Sequence, residues 1–574
     1  MERLVGHIPF NPNHSEIYEE YQQETFLHVE TKAMTFLTER LLNPDHGQRP
    51  RLVLLTGDAG HGKTHLVRHL LEKLEIPRSD LLDTLQNRCK GEPIELETGR
   101  IAIHKDLSEM NSNRAAALLD EGLEREDCPL IVCVNEGRLR AMLSSEVLGG
   151  RDITRKILRS LAEHTVEPDP GVFVINLNWQ MVSLPQGILH DLLRELLNGT
   201  RWRTCKDCSS QSYCPILANR NVLSENDRRV EQIRRLYELV ERLGEVVTIR
   251  QVLIHMAYLI TGNLTCRDVH KLSPRKDLSR YAFTSTLFVN DAPESFINSH
   301  GLFSTLRKLD PAYNASRTVD EQLMSAAYRE QIVPENSPDR RLRVGRHEVD
   351  LRHELAPAEL DLDIKHHLDD EEQILVRVFR TLRRHHALMY DTTTLGGFEY
   401  ARAFEDLLEG DLEFSRRQNL KKMVARGLNR IQSLVTERHA VQLLIVDRVS
   451  LRAAARTAVI AATYTLDAIE LGPEQVPRTV DGSDITDARA RRLMLVIDGQ
   501  SLDLDLLSFE FICRCASGLA SREFFRNEVR RITNFLLRVV ERRESKDTRV
   551  AQVFHKGQLH SIRVNNDERY IGLE

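Results

Sequence analysis

Apolar residues at Phe26, Val29, Met34, Leu37 and Leu41 recur at helical spacing ahead of the break Asn43-Pro44-Asp45-His46-Gly47. The pattern then changes. Short continuous apolar runs at Leu52–Leu55, Arg100–His104, Leu130–Val134 and Gly171–Leu177 alternate with helical stretches, the first of them His65–Leu74. Runs of this length without polar alternation predict strands buried on both faces, and so a parallel sheet covered by helices. A helix Ile188–Leu197 follows, and from Asp227 to Tyr258 the pattern is purely helical. Beyond residue 275 the segments 370–390 and 412–437 read as strongly charged helices, and Val441–Val446 and Leu493–Ile497 as strands. A last helix near 521–543 precedes strand candidates at Val550–Phe554, Leu559–Val564 and Tyr570–Leu573. The predicted organisation is an N-terminal helical segment (1–45), an α/β core (46–200), a cysteine-rich insert with a helical lid (201–275) and an α+β C-terminal interaction region (276–574).

At 574 residues the chain exceeds what one core supports. Its formal charge of −6 marks no global affinity for nucleic acid or membrane, so such binding must come from local patches. No apolar stretch approaches a membrane span and Met1-Glu2-Arg3-Leu4 opens no signal-peptide core, which predicts a cytoplasmic protein with no membrane partner. Nine cysteines fit that compartment as thiols or metal ligands. The Asp-x-Asp pieces at Asp361–Asp363 and Asp503–Asp505 alternate with Leu, a solvated-strand pattern and not a nuclease site.

Between the first strand and its helix the chain reads Gly57-Asp58-Ala59-Gly60-His61-Gly62-Lys63-Thr64, with His65 behind it. This spacing is a Walker A loop: glycines let successive N–H groups turn toward phosphates, Lys63 reaches the β- and γ-phosphates of ATP, and the Thr64 hydroxyl ligates Mg²⁺. Hydrolysis needs an acid at the end of a neighbouring strand. Asn135-Glu136 follows Leu130–Val134, with Glu136 placed to polarise water and Asn135 where a metal-holding aspartate is expected. At the end of the next strand, Asn176 and, behind it, Asn178 are candidate γ-phosphate sensors. Past helix 188–197, Arg201 and Arg203 lie where AAA+ ATPases carry an arginine that reaches a neighbouring subunit's nucleotide, so this region resembles that family; the alternative is two solvated arginines. Thr248-Ile249-Arg250 is similar to a lid sensor, with Arg250 reporting nucleotide state.

Cys205-Lys206-Asp207-Cys208 and Cys214 supply three thiolates at ligand spacing, and Cys266, with His270 behind it, is the candidate fourth ligand. Zinc, an iron–sulfur cluster and unligated thiols remain open. In the C-terminal half Lys422, Arg426 and Arg430 share a helix face near Arg416, Arg417 and Lys421. Arg377, Arg380 and Arg384 form a second row, and Arg340, Arg341, Arg343 and Arg346 a third. Such rows meet DNA phosphates, an acidic partner or simply water.

With the Walker A loop, Asn135-Glu136, the Asn-bearing strand, the Cys-x-x-Cys-x5-Cys-Pro insert and Thr261-Gly262-Asn263-Leu264-Thr265-Cys266 in view, the chain resembles the DptF family over residues 45–275 and more loosely over Ser501–Asn534. That family is the ATPase component of DNA phosphorothioation-dependent restriction. The resemblance implies an AAA+-like P-loop ATPase that works with other defence proteins in a bacterial antiphage system. Two functions compete: a motor or switch ATPase acting as a homo-oligomer, and a nucleotide-gated scaffold that recruits an effector.

Overall fold

The computed structural model describes residues 2–14, 29–42, 50–96, 99–107, 110–125, 128–144, 148, 150–272, 277–313, 317–344, 347–353, 368–390, 397–410, 412–433, 442–446, 457–479, 485–519, 525–544, 550–555, 558–564 and 571–573. Phe26, the 43–47 break, Arg346, Asp361–Asp363 and Tyr570 of the sequence reading lie outside them. The chain divides into two compact units: residues 1–241, 245–397 and 475–489 form the first, and 242–244, 398–474 and 490–574 the second. The first unit therefore runs past residue 275 to Gly397.

Unit 1 is built on a five-stranded sheet of β1 (Leu52–Thr56), β2 (Lys90–Leu96), β3 (Gly99–His104), β4 (Leu130–Val134) and β5 (Val172–Asn176), in the order β2-β3-β4-β1-β5. β3, β4, β1 and β5 are parallel, and β2 is antiparallel to β3. Alternate residues face opposite sides, and both sides are covered. Val53, Leu55, Ile103, Ile131, Cys133, Phe173 and Ile175 pack against helices Lys32–Leu42 and Lys63–Lys73. Leu52, Leu54, Leu130, Val132, Val134, Val172 and Val174 pack against Ser112–Glu124, Glu136–Leu143 and Asp152–Glu163. Two-sided burial is why these strands are continuous apolar runs; β2, with Glu92, Pro93 and Glu95 exposed, is an edge strand whose polarity hid it.

After helix Ile188–Leu197 a 3₁₀ segment, Gly199–Asp207, carries Cys205 and is followed directly by Cys208, and helices Pro215–Ser224, Asp227–Arg242, Ile249–Thr261 and Cys266–Lys271 come next. The helical run expected over 227–258 is interrupted around Gly244. The second part restarts at Thr248, whose side chain accepts from Gln251 N while Gln251 caps it in return. The rest of unit 1 is helical, with the short hairpin β6 (Arg341–Val344) and β7 (His347–Asp350) and the helix Leu368–Ala387. Its interior is held by buried charges: Arg384 donates to both oxygens of Asp310 (2.9 and 2.6 Å), and His385 lies 3.1 Å from Asp339.

Unit 2 contains an antiparallel sheet β15-β14-β13-β9-β8 made of β8 (Gln442–Val446), β9 (Thr457–Thr465), β13 (Val550–His555), β14 (Gln558–Val564) and β15 (Ile571–Leu573). A second sheet, β10-β11-β12, comprises Ile469–Pro473, Leu493–Ile497 and Gln500–Leu504. The outer edge of β8 is satisfied by side chains of helix Phe414–Gln432: Asn429 and Gln432 donate to Gln442 O and Leu444 O and accept from Leu444 N and Val446 N. Gly427 lets this helix approach Leu506–Ser517, since a Cβ there would sit 2.2 Å from Ile512 O. Asp503 pairs with Arg492 and Arg531, and Asp505 leaves the strand to cap Leu506–Ser517, accepting from Ser508 N at 2.7 Å.

Candidate functional site

The loop Gly57–Gly62 leaves the C-terminal end of β1, and Lys63 begins the helix behind it. Gly60 has φ +99°, and a Cβ there would lie 2.9 Å from Arg250 Cβ. Only glycine combines that backbone conformation with that approach. Lys63 Nζ donates to Gly57 O (2.6 Å), Asp58 O (3.0 Å) and Asn135 Oδ1 (3.3 Å). Burial lowers its pKa below the ordinary lysine value; Cys133, Asp106 and Asp58 oppose the shift, and the Arg250 charge adds to it. A partly desolvated ammonium above a glycine loop is a site poised for an anion.

The strand ends bring further side chains to the same place. Asn178 Oδ1 accepts from Asp58 N at 2.7 Å, so it is Asn178 that touches the loop. Asn176 instead donates to Glu136 Oε2 at 2.9 Å and accepts from Asn178 N at 3.1 Å. The other oxygen of Glu136 receives Arg140, 2.8 Å away. Asn135 and Glu136 thus face different partners, the first the loop lysine and the second an arginine and an amide. From the lid, Arg250 N donates to Gly60 O at 3.1 Å, and the Thr248 hydroxyl sits 3.2 Å from where a Gly60 Cβ would be. Thr64 and His65 are half-buried, and His61 is buried at the turn.

Arg201 and Arg203 lie on the 3₁₀ segment with the cysteines; Arg201 pairs with Glu195 at 3.3 Å and Arg203 is exposed. At the insert, Cys208 Sγ is 3.9 Å from His270 Nε2, Ser210 Oγ is 2.9 Å from His270 Nδ1, and Cys214 Sγ accepts from Leu217 N as a helix cap. Burial raises the Cys205 and Cys214 thiols, and neighbouring thiols, Cys266 among them, raise both further. The four cysteines are therefore neighbours. Among the described residues, however, no three His, Cys, Asp or Glu side chains are grouped so as to hold a metal ion. The zinc or iron–sulfur expectation accordingly enters no step of the function proposed below.

The basic rows fare unequally. Arg384 is buried against Asp310, Arg377 pairs with Asp277 at 2.9 Å, and Arg380 stacks over Tyr313. Arg340 and Arg341 pair with Asp350. These arginines are paired with acids or an aromatic ring within unit 1, and Arg341 and Arg377 keep part of their side chains exposed. Lys422 and Arg426 on helix Phe414–Gln432 remain exposed. No helix among the described residues is long and apolar enough to cross a membrane.

The residues missed by spacing are Asp106 and Arg140. Asp106 is brought in by tertiary structure, although it carries a weak signal, an acid two residues past a strand end, and Arg140 stands four residues past Glu136 on the same helix. No protein-family profile, curated protein or solved structure matches the chain.

Proposed function

We propose that this chain is a Mg²⁺-dependent, AAA+-like P-loop ATPase whose nucleotide lies on the loop Gly57–Thr64. The observation that carries the reading is the placement of Lys63: its ammonium is held at the loop by two loop carbonyls and Asn135, within the field of the lid arginine. A triphosphate accepts the same protons more strongly than carbonyls do. The residues fit the nucleotide: Gly60 keeps the cradle open beside Arg250, Thr64 offers its hydroxyl to Mg²⁺, and Glu136 is aligned by Arg140 and Asn176 to orient water. Bound Mg²⁺ neutralises charge developing on the phosphates. The lid contact through Arg250 and Gly60 couples nucleotide occupancy to the helices of residues 215–271.

On the DptF resemblance, this ATPase acts as the motor or switch component of a bacterial DNA-targeting antiphage system, alongside other defence proteins. Direct DNA contact would fall to Lys422 and Arg426. The scaffold reading is favoured by one observation, the uncharged Asn135 beside Lys63, which argues for slow turnover. Steady-state ATPase rates with and without duplex DNA separate the two readings.

The test of the site is Lys63→Ala. It is expected to weaken ATP binding roughly 10- to 100-fold, the worth of charge-assisted contacts, and to abolish hydrolysis in a protein with unchanged circular dichroism. Unchanged ATP affinity in that folded variant removes the loop from the function.

A further inference from the structure

We propose that Asp106, and not the Asn135-Glu136 pair, supplies the carboxylate that holds Mg²⁺ at this loop, with Asn135 serving as a neutral partner of Lys63 and of the nucleotide phosphate. The inference rests on the nucleotide-binding reading above and assigns the acid that reading lacks.

The argument begins with strand register. β3 pairs with β4 at Ala102↔Leu130, Ile103↔Ile131 and His104↔Val132, and β4 pairs with β1 up to Val134↔Thr56. Two residues beyond the last β3 rung, the chain reaches Asp106 at about the level of Val134 and Thr56, and so of Asn176 on β5. All four sit at the strand ends from which the loop departs. In doubly wound sheets, ligands lie outside these carboxyl ends.

Lateral distance follows from the same order. β4 lies beside β1 and β3 is one strand further, roughly 10 Å from β1 at ~4.8 Å per strand. Lys63 already spans the first of those steps, because its ammonium reaches Asn135 at the end of β4. Asp106, exposed at the end of β3, is therefore the next side chain outward from the lysine.

Chemistry separates the candidates. Asn135 has no charge to give a cation. Glu136 is committed on both oxygens, to Arg140 at 2.8 Å and to Asn176 at 2.9 Å, and a carboxylate paired with a guanidinium is a poor cation ligand but a well-oriented base. Cys133 is closest in effect to the Lys63 charge, yet burial pushes its thiol up to about 12, so it is neutral at pH 7. Asp106 then exerts the largest carboxylate field on Lys63, ahead of the loop's own Asp58. A carboxylate at these strand ends and within the field of Lys63 suits Mg²⁺, which keeps several waters and takes few protein ligands.

The experiment measures binding of a fluorescent ATP analogue to the full chain, in EDTA and in excess Mg²⁺, for wild type, Asp106→Asn, Glu136→Gln and Lys63→Ala. Asp106→Asn is expected to bind as wild type in EDTA but to lose the Mg²⁺-dependent gain in affinity, roughly tenfold or more for one charge-assisted contact. Glu136→Gln is expected to keep that gain. Retention of the gain in Asp106→Asn, whether or not Glu136→Gln loses it, overturns the assignment. Failure of the underlying reading looks different: Lys63→Ala would then bind the analogue in EDTA as tightly as wild type. Asp106 is exposed and the substitution isosteric, so a thermal melt matching wild type confirms that the variant is folded.

Discussion

At the scale of single residues, the division of labour between Asn135 and Glu136 turns on which neighbour each one meets. The backbone turns at the end of β4, Asn135 keeping extended geometry while Glu136 begins a helix, and the two side chains diverge. Asn135 meets Lys63; Glu136 meets Arg140, four residues along the same helix, and Asn176 from β5. Arg140 and Asn176 each engage one oxygen and so fix the plane of the carboxylate, which orients a base toward water. Glu136→Gln preserves shape but not the charge, and its amide nitrogen can accept from neither Arg140 nor Asn176. It is expected to leave ATP affinity within about twofold while lowering hydrolysis roughly 10²- to 10⁴-fold. Steady-state phosphate release checks this, and turnover within a few-fold of wild type would transfer the base to another residue.

At the scale of elements, helix Ile249–Thr261 ties the loop to the interior of unit 1. Its N-terminus touches Gly60, and one turn further His255 is fully buried between the Tyr237 hydroxyl (2.5 Å) and Leu287 O (2.9 Å). Burial lowers the His255 pKa to about 4, against the hydrogen bonds to Leu287 and Thr286 that raise it. The unfolded chain takes up its proton near pH 6.5, the folded chain only near 4. The contribution is thus complete above pH 6.5 and is lost as pH falls toward 4, by up to about 1.4 kcal/mol per unit. Urea denaturation of wild type is expected to show a loss across this window that His255→Gln reduces. Equal pH slopes in both proteins would remove His255 as the cause.

The elements that sequence revealed are those whose physics is local. β1, β4 and β5 are buried on both faces, so no polar residue interrupts them, and the Gly57–Thr64 loop is a short-range spacing. β9 hides because Thr and Ala dominate Thr457–Thr465, and β12 because its Asp503 finds Arg492 and Arg531 from distant segments. The same distinction holds in the site. Lys63 lies against Asn135 and Arg250 N against Gly60 O, whereas the place of Asp106 depends on strand order and the preference for Asn178 over Asn176 depends on a loop N–H. Spacing alone does not show which acids the arginine rows in unit 1 meet, because Asp277, Asp310 and Asp350 lie far along the chain or on another strand.

At the scale of the whole molecule, the remaining question is whether one chain completes its own site. The Arg201 guanidinium lies about one-third exposed beside Glu195, and such a surface pair is worth about 0–1 kcal/mol, so it gives way easily to a stronger anion. Arg203 is exposed on the same segment. If these arginines serve a neighbouring subunit, nucleotide binding and assembly strengthen each other, because the γ-phosphate is then shared across the interface. Arg201→Ala/Arg203→Ala subunits should bind ATP nearly as wild type yet hydrolyse it poorly, since the guanidinium matters most as the phosphoryl group separates. Mixing them with Lys63→Ala subunits places an intact Lys63 loop against an intact arginine pair at a fraction of interfaces, and ATPase activity is expected to return in part. A mixture that stays inactive, from proteins that light scattering shows to be monomers in ATP and Mg²⁺, would return both arginines to the surface of a self-sufficient chain.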